Sequence, residues 1–129
     1  VKAALEAGAA GAVVSRDPGE YVPGRFYVLV PDTILAFGDL ARWYRGKFHV
    51  PVVGITGSVG KTTTKDMIAA VLSEKYETLK TAGNYNNNIG LPKTLFGLSH
   101  KTQMAVIEMG MNHLGEISYL TSIAKPDVA

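Results

Sequence analysis

Val50-Pro51-Val52-Val53-Gly54-Ile55-Thr56-Gly57-Ser58-Val59-Gly60-Lys61-Thr62-Thr63 passes from an apolar, β-branched run through a glycine-rich turn into polar residues that open a helix. A continuous apolar run of this length, Val50–Thr56, reads as a strand buried on both faces. The segment Lys61–Tyr76 reads as a helix with Met67, Ile68, Val71 and Leu72 on its buried side. In the turn between them, Gly57 and Gly60 permit positive φ angles and leave no Cβ in the way of a ligand. The first turn of the helix adds unpaired N–H groups and its positive pole, a setting that suits a phosphate.

These features make Gly57, Ser58, Val59, Gly60, Lys61, Thr62 and Thr63 candidates for binding a nucleotide. Lys61 would reach the β- and γ-phosphates of ATP, and the Thr62 hydroxyl would ligate Mg²⁺. The strict spacing G-x-x-x-x-G-K-[ST] is not met, because its first glycine would fall on Ile55, with Gly54 one residue too early. The plainer alternative is a glycine-rich turn whose lysine and threonine are simply solvated.

Outward from this stretch, strand and helix signals alternate. Thr78–Lys80 and Met104–Ile107 read as strands, and Pro92–Leu98 and Leu114–Ala124 as helices, the last with Ile117, Leu120 and Ala124 inward. Upstream, Val1–Ala7 reads as the tail of a helix closed by Gly8, and Ala12–Val14 and Phe26–Val30 as short strands. Asp32 is placed to cap a helix whose apolar face carries Phe37, Leu40, Ala41, Tyr44 and Phe48. Arg45 and Lys47 sit near its negative pole. Pro51 breaks the pattern, so a domain boundary is expected there, with residues 1–49 before it and 50–129 after. Strands alternating with helices imply an α/β class with a parallel sheet and flanking helices.

The composition of the 129-residue chain agrees: 47% hydrophobic, 19% charged and a net charge of +2. That is globular rather than disordered, and the scattered lysines and arginines make no nucleic-acid-binding stripe. With no cysteine, disulfides and thiolate metal sites are excluded, which fits a cytoplasmic protein. No apolar run approaches the ~18 residues that span a bilayer. The chain opens on Val1 rather than Met, so a natural N-terminus upstream is expected.

Two further segments carry candidate chemistry. Glu108 ends the strand Met104–Ile107, and a carboxylate at the carboxyl end of a buried strand near a phosphate loop suits a hard cation. Its plainer role is a cap or an ion pair. The loop Gly83-Asn84-Tyr85-Asn86-Asn87-Asn88-Ile89-Gly90 either grips a polar substrate through its amides or serves as a multi-turn connection. His113 follows Glu108 by five residues, but a lone histidine beside a glycine-rich turn more often serves structure. His49 and His100 have no partner at ligand spacing.

Taken together, these motifs resemble the Mur ligases, and among them the MurF type, which adds D-alanyl-D-alanine to a cell-wall precursor. The resemblance rests on Gly54-Ile55-Thr56-Gly57-Ser58 leading into Gly60-Lys61-Thr62-Thr63-Thr64-Lys65. It rests also on Thr81 with Gly83-Asn84, Asn86-Asn87 and Ile89-Gly90-Leu91-Pro92, and on Glu108-Met109-Gly110-Met111 before Gly115-Glu116-Ile117. The off-pattern glycine spacing is itself the Mur ligase form of the loop. Lys93 departs from the family's usual apolar residue, and Asn88 holds a variable place.

The resemblance implies that residues 1–49 end a domain that holds a UDP-sugar, and that residues 50–129 are the first half of an ATP-binding domain. It implies an ATP-dependent ligase with ATP and Mg²⁺ as cofactors, and UDP-MurNAc-tripeptide and D-Ala-D-Ala as substrates. Lys61 and Glu108 would be catalytic, Thr62 and Glu108 would hold the metal, and Asn84 and Asn87 would contact or shape the precursor site. The family's histidine and carbamylated lysine lie beyond Ala129, so this stretch alone is expected not to join the amide bond. Other amide-forming ATPases, such as the MurE type or folylpolyglutamate synthetase, are the nearest rivals, and Gly83–Pro92 and Glu108–Ile117 argue against them. A nucleotide-binding regulatory module is the rival of a different class.

Overall fold

In the computed structural model, which describes residues 1–129, the chain divides into two compact units, Val1–Ala36 and Phe37–Ala129. The division falls inside a helix, earlier than the break between residues 49 and 50 expected from Pro51. The reason is packing: the helix carries Ala41 and Tyr44 into the core of the second unit, and Phe48 follows just after its end.

The first unit holds α1 (Lys2–Glu6) and the strands β1 (Gly11–Val14) and β2 (Phe26–Leu29), which pair in parallel with Gly11 opposite Phe26. Gly8 follows α1 at φ +99°, a left-handed angle that ends the helix cheaply only in glycine. Asp32 caps α2 (Thr33–Arg45) as expected, its Oδ1 accepting the N–H groups of Ile34 and Leu35 at 2.7 and 3.0 Å.

The second unit is built on a three-stranded parallel sheet of β3 (Val52–Ile55), β4 (Thr78–Lys80) and β5 (Met104–Glu108), in the order β3-β5-β4. Helices α3 (Lys61–Ser73), α4 (Gly90–Leu95) and α5 (Glu116–Ala124) connect and cover it. Side chains alternate along each strand, so both faces are buried. Val53, Ile55 and Val106 face Ile68, Ala69 and Leu72 of α3. Val52, Ala105 and Ile107 face the larger cluster, where Leu91, Leu95, Leu98, Leu120 and Ile123 also lie.

Beyond α5 the chain returns to the free edge of β3. Val52 N–H donates to Asp127 Oδ2, Asp127 N–H to Val52 O, each at 2.8 Å, and Val128 bridges Val53 in parallel. Arg45 fastens the same corner. Its guanidinium donates to the carbonyls of Phe48, Val50 and Ala124 at 2.7, 2.9 and 3.1 Å. Burial lowers its pKa from the usual guanidinium value, against the pull of the nearby Asp127 carboxylate. No helix is long and apolar enough to cross a membrane.

Three expectations need correcting. On α3, Met67 and Val71 are 65% and 73% exposed. The buried stripe is Lys65, Ile68, Ala69 and Leu72, whose spacings of three and four form one face. Only one face of a helix can meet the sheet, and small Ala69 allows close approach where Met67 would hold the helix off. On α2, Leu40 is exposed and Arg45 is buried in its stead, because three carbonyls need its guanidinium. The fourth helix begins at Gly90, two residues before the expected Pro92, because Asn87 caps it.

Leu95 is fully buried among the apolar side chains of the larger cluster. Leu95→Ala is expected to lower unfolding free energy by about 2–5 kcal/mol, the range for a buried leucine that leaves a cavity. Urea unfolding of the two proteins measures the difference directly.

Candidate functional site: a phosphate loop beside a buried carboxylate

The carboxyl ends of β3 and β5 lie side by side, with Ile55 opposite Glu108. Whatever follows each strand is therefore brought to one place. After β3 comes the glycine turn, in which Gly57 and Gly60 take φ +137° and +77°. These are angles that a side chain strains. Gly54 has a different duty. A Cβ there would sit 2.7 Å from Met109 Cε and 3.1 Å from Pro126 Cβ, so it is a packing glycine on the far face of the sheet. That separation of duties explains the departure from the strict spacing.

Gly60 is the N-cap of α3 and accepts the Thr64 N–H at 2.9 Å. The N–H groups of Lys61, Thr62 and Thr63 have no partner within the helix and present its positive pole. Lys61 Nζ donates to Gly57 O at 2.9 Å, which places the ammonium over the turn. Residues 57–63 are thus gathered around one point, with Ser58, Val59, Thr62 and Thr63 exposed.

Glu108 lies on the α3 side of the sheet, in step with Val106. It is 1% exposed. Its Oε2 accepts from Thr62 Oγ1 at 3.1 Å and stands 3.8 Å from Lys65 Nζ. Its Oε1 accepts from Asn86 Nδ2 at 2.8 Å. Its backbone N–H donates to the buried Thr81 Oγ1 at 2.9 Å. Two oxygens that bind one Mg²⁺ at adjacent corners of an octahedron, each ~2.1 Å from the ion, lie about 3 Å apart. The Thr62–Glu108 separation fits that edge, so the pair has the donors and spacing such a cation takes.

The Asn-rich loop is held to the same carboxylate. Besides Asn86, Lys65 Nζ donates to Gly83 O at 3.3 Å, and Gly110 N–H donates to Asn86 O at 2.8 Å. Asn87 Oδ1 accepts the N–H groups of Ile89 and Gly90 at 3.1 and 2.8 Å, so it caps α4. Asn84 is exposed, and its carbonyl accepts the Asn86 N–H at 2.7 Å. Neither Asn84 nor Asn87 touches Glu108.

His113 lies apart from this cluster, exposed in the turn before α5, where its N–H and that of Asn112 donate to Glu116 Oε2. Those two backbone donors hold the Glu116 carboxyl below its ordinary pKa. No group of three acidic or imidazole side chains gathers anywhere in the chain to hold a metal.

Lys65, Thr81 and Asn86 stand in the motifs quoted from the sequence, but no role was assigned to them there. Lys65 left a trace, since it falls on the stripe of Ile68, Ala69 and Leu72, where a lysine needs a buried partner. Asn86 left none, because four asparagines in one loop offer the same chemistry until the chain is folded.

A Cβ at Gly110 would lie 2.8–2.9 Å from the end of the Asn86 side chain. Gly110→Ala should therefore push that carboxamide off Glu108 while leaving the core intact. With a carboxylate hydrogen bond of about 1.5–3 kcal/mol removed, amide exchange over residues 84–88 is expected to rise by roughly one to two orders of magnitude. Hydrogen–deuterium exchange measures this, and the melting temperature is expected to fall by several degrees. Unaltered loop exchange would show that Asn86 does not anchor the loop.

Residues 55–129 match the model of the Mur ligase middle domain. Over its whole length the chain is 46% identical to the UDP-N-acetylmuramoyl-tripeptide–D-alanyl-D-alanine ligase of Bacillus subtilis, spanning 28% of that protein. Over 96% of its length it is 49% identical to the Escherichia coli ligase of the same name, spanning 27% of it. Among solved structures, MurF of Thermotoga maritima in complex with ADP superposes with a TM-score of 0.87 at 37% identity. That match covers 99% of this chain and 29% of that one. The chain thus spans little more than a quarter of the length of the curated relatives it matches. With the family model covering more than half of it, and the phosphate turn and Glu108 both inside the matched residues, the chain belongs to the Mur ligase family.

Proposed function

We propose that this chain is the ATP-binding portion of an ATP-dependent ligase that adds D-alanyl-D-alanine to UDP-MurNAc-tripeptide in the cytoplasm. The observation that carries this reading is the meeting of Thr62, from the phosphate turn, and Asn86, from the Asn-rich loop, on the two oxygens of Glu108. One carboxylate thereby links a nucleotide site to a loop suited to polar substrates. The names of relatives 46% and 49% identical supply the substrates. Residues 1–49 would close a domain that holds the UDP-sugar, and residues 50–129 would begin the ATP-binding domain.

In this reading a carboxylate oxygen of the tripeptide attacks the γ-phosphorus of ATP, ADP leaves, and an acyl phosphate forms. The amine of D-Ala-D-Ala then adds to the acyl carbon, and the tetrahedral intermediate collapses with loss of a proton and inorganic phosphate. Charge accumulates on the transferred phosphoryl oxygens, and stabilising it is the main catalytic task. Lys61 and the backbone N–H groups of residues 57–63 are placed to do so. Mg²⁺ would supply divalent charge against that of the phosphates, and Thr62 and Glu108 would hold it, directly or through water. Asn87 would shape the precursor site by fixing the start of α4, and Asn84 would face the precursor.

The test supplies the full-length protein with ATP, Mg²⁺, UDP-MurNAc-tripeptide and D-Ala-D-Ala, and looks for the pentapeptide product by mass spectrometry. Product formed instead with single amino acids, and none with the dipeptide, would reassign the substrate. Lys61→Ala is expected to leave the fold intact and to reduce kcat/KM for ATP by one to two orders of magnitude. That corresponds to the ~1.5–3 kcal/mol of a charge-assisted contact. Wild-type kinetics in that variant would remove the phosphate-loop assignment.

A further inference from the structure

Lys65 has no part in the chemistry above, yet its side chain is only 2% exposed. Lysine is among the side chains least often buried, because its ammonium loses strong hydration. Its place in α3 therefore depends on what it meets. The Nζ has three acceptors: Gly83 O at 3.3 Å, Asp66 Oδ1 at 3.6 Å and Glu108 Oε2 at 3.8 Å. Asp66 is half-exposed and already paired with Lys80 at 2.8 Å. The anion that lacks another cation is Glu108, whose other side-chain partners, Thr62 and Asn86, are neutral donors.

Glu108 Oε2 is also the oxygen that lies one octahedral edge from Thr62 Oγ1. The ammonium and a divalent cation would thus share one carboxylate oxygen at a few ångströms' separation, where like charges repel. We propose that Lys65 is the internal counter-ion of Glu108 and that a divalent cation binds in competition with it. Lys65 then limits the cation's affinity instead of assisting it. When the cation takes Oε2, the ammonium keeps Gly83 O, the nearest of its three acceptors. Because Gly83 opens the Asn-rich loop, the same displacement tightens the loop's anchor to α3. Lys65 is thereby a positioning residue that lets the loop respond to the metal. The inference rests on the reading of Glu108 as a cation ligand.

The experiment measures ADP affinity by calorimetry, with and without Mg²⁺, together with thermal unfolding, in full-length wild type, Lys65→Met, Glu108→Gln and the double variant. Lys65→Met keeps the length of the side chain and removes its charge. Its ADP affinity without Mg²⁺ should stay within about twofold of wild type, since residues 57–63 are untouched. The factor by which Mg²⁺ tightens ADP should grow by at least tenfold, since the repulsion of like charges a few ångströms apart at an effective dielectric of about 20 exceeds the free energy of a tenfold change. Its melting deficit should shrink when Mg²⁺ and ADP are both present.

An Mg²⁺ factor equal to or below that of wild type, or a melting deficit that ignores Mg²⁺, would overturn the proposal. Should Lys65→Met not fold, the double variant decides. With Glu108 made neutral, removing Lys65 should cost nothing, so the double variant should melt at or above Glu108→Gln. A double variant that melts below Glu108→Gln, or does not fold, would show that Lys65 serves packing alone. A wild-type protein whose ADP affinity ignores Mg²⁺ would overturn the reading of Glu108 itself, which separates that failure from this one.

Discussion

The parallel pairing of β3 with β5, with Ile55 opposite Glu108, is the constraint from which the site follows. It sets the end of one strand, where the phosphate turn begins, beside the end of another, where the carboxylate stands. Alternation along β5 then decides the face: Val106 and Glu108 point toward α3, while Ala105 and Ile107 point into the larger cluster. A slip of one residue would send Glu108 into apolar packing and turn Ile107 toward Thr62. Burial on both faces of the sheet forbids such a slip, because each face has its own complementary helices.

Placing a carboxylate at that position has consequences for the rest of the unit. Glu108 is buried almost completely, so its carboxylate requires partners on each oxygen, and the fold recruits them from two elements, Thr62 and Lys65 from α3 and Asn86 from the loop, while Thr81, just after β4, accepts its backbone N–H. Buried charge of this kind adds little net stability, since desolvation offsets most of the attraction. The apolar clusters on either face hold the fold, and the polar group between them specifies how the ends of the strands are arranged. Arg45 acts similarly at the opposite end of β3, where one guanidinium satisfies three carbonyls that would otherwise be stranded as the chain enters the sheet.

The Asn-rich loop is drawn into the same arrangement. Its two anchors, Gly83 to Lys65 and Asn86 to Glu108, both lead to the corner where Thr62 meets Glu108, and Asn87 starts the helix that packs beneath the sheet. A loop fixed at these points is tied to both α3 and β5. Glycine at 110 is part of the same arrangement, because the Asn86 side chain occupies the space that a Cβ would need.

The order and type of every element, the glycine turn between β3 and α3, and the place of Glu108 at a strand's end were legible in the amino-acid sequence. Each depends on local chemistry: β-branched runs, glycines at left-handed angles, helical spacing, and polar residues at helix starts. Which face of α3 is buried was misread, because Met67 and Val71 are as apolar as the residues beside them, and only the sheet's shape selects the stripe through Ala69. The roles of Asn84, Asn86 and Asn87 could not be sorted, since identical amides differ only in what lies across from them after folding. Where the two compact units divide, at Ala36, was likewise decided by where α2 packs. Local signals are written in the sequence because they act over a few residues. The pairing of Lys65 and Asn86 with Glu108 joins positions far apart in the chain, and only the parallel register of β3 and β5 brings them together.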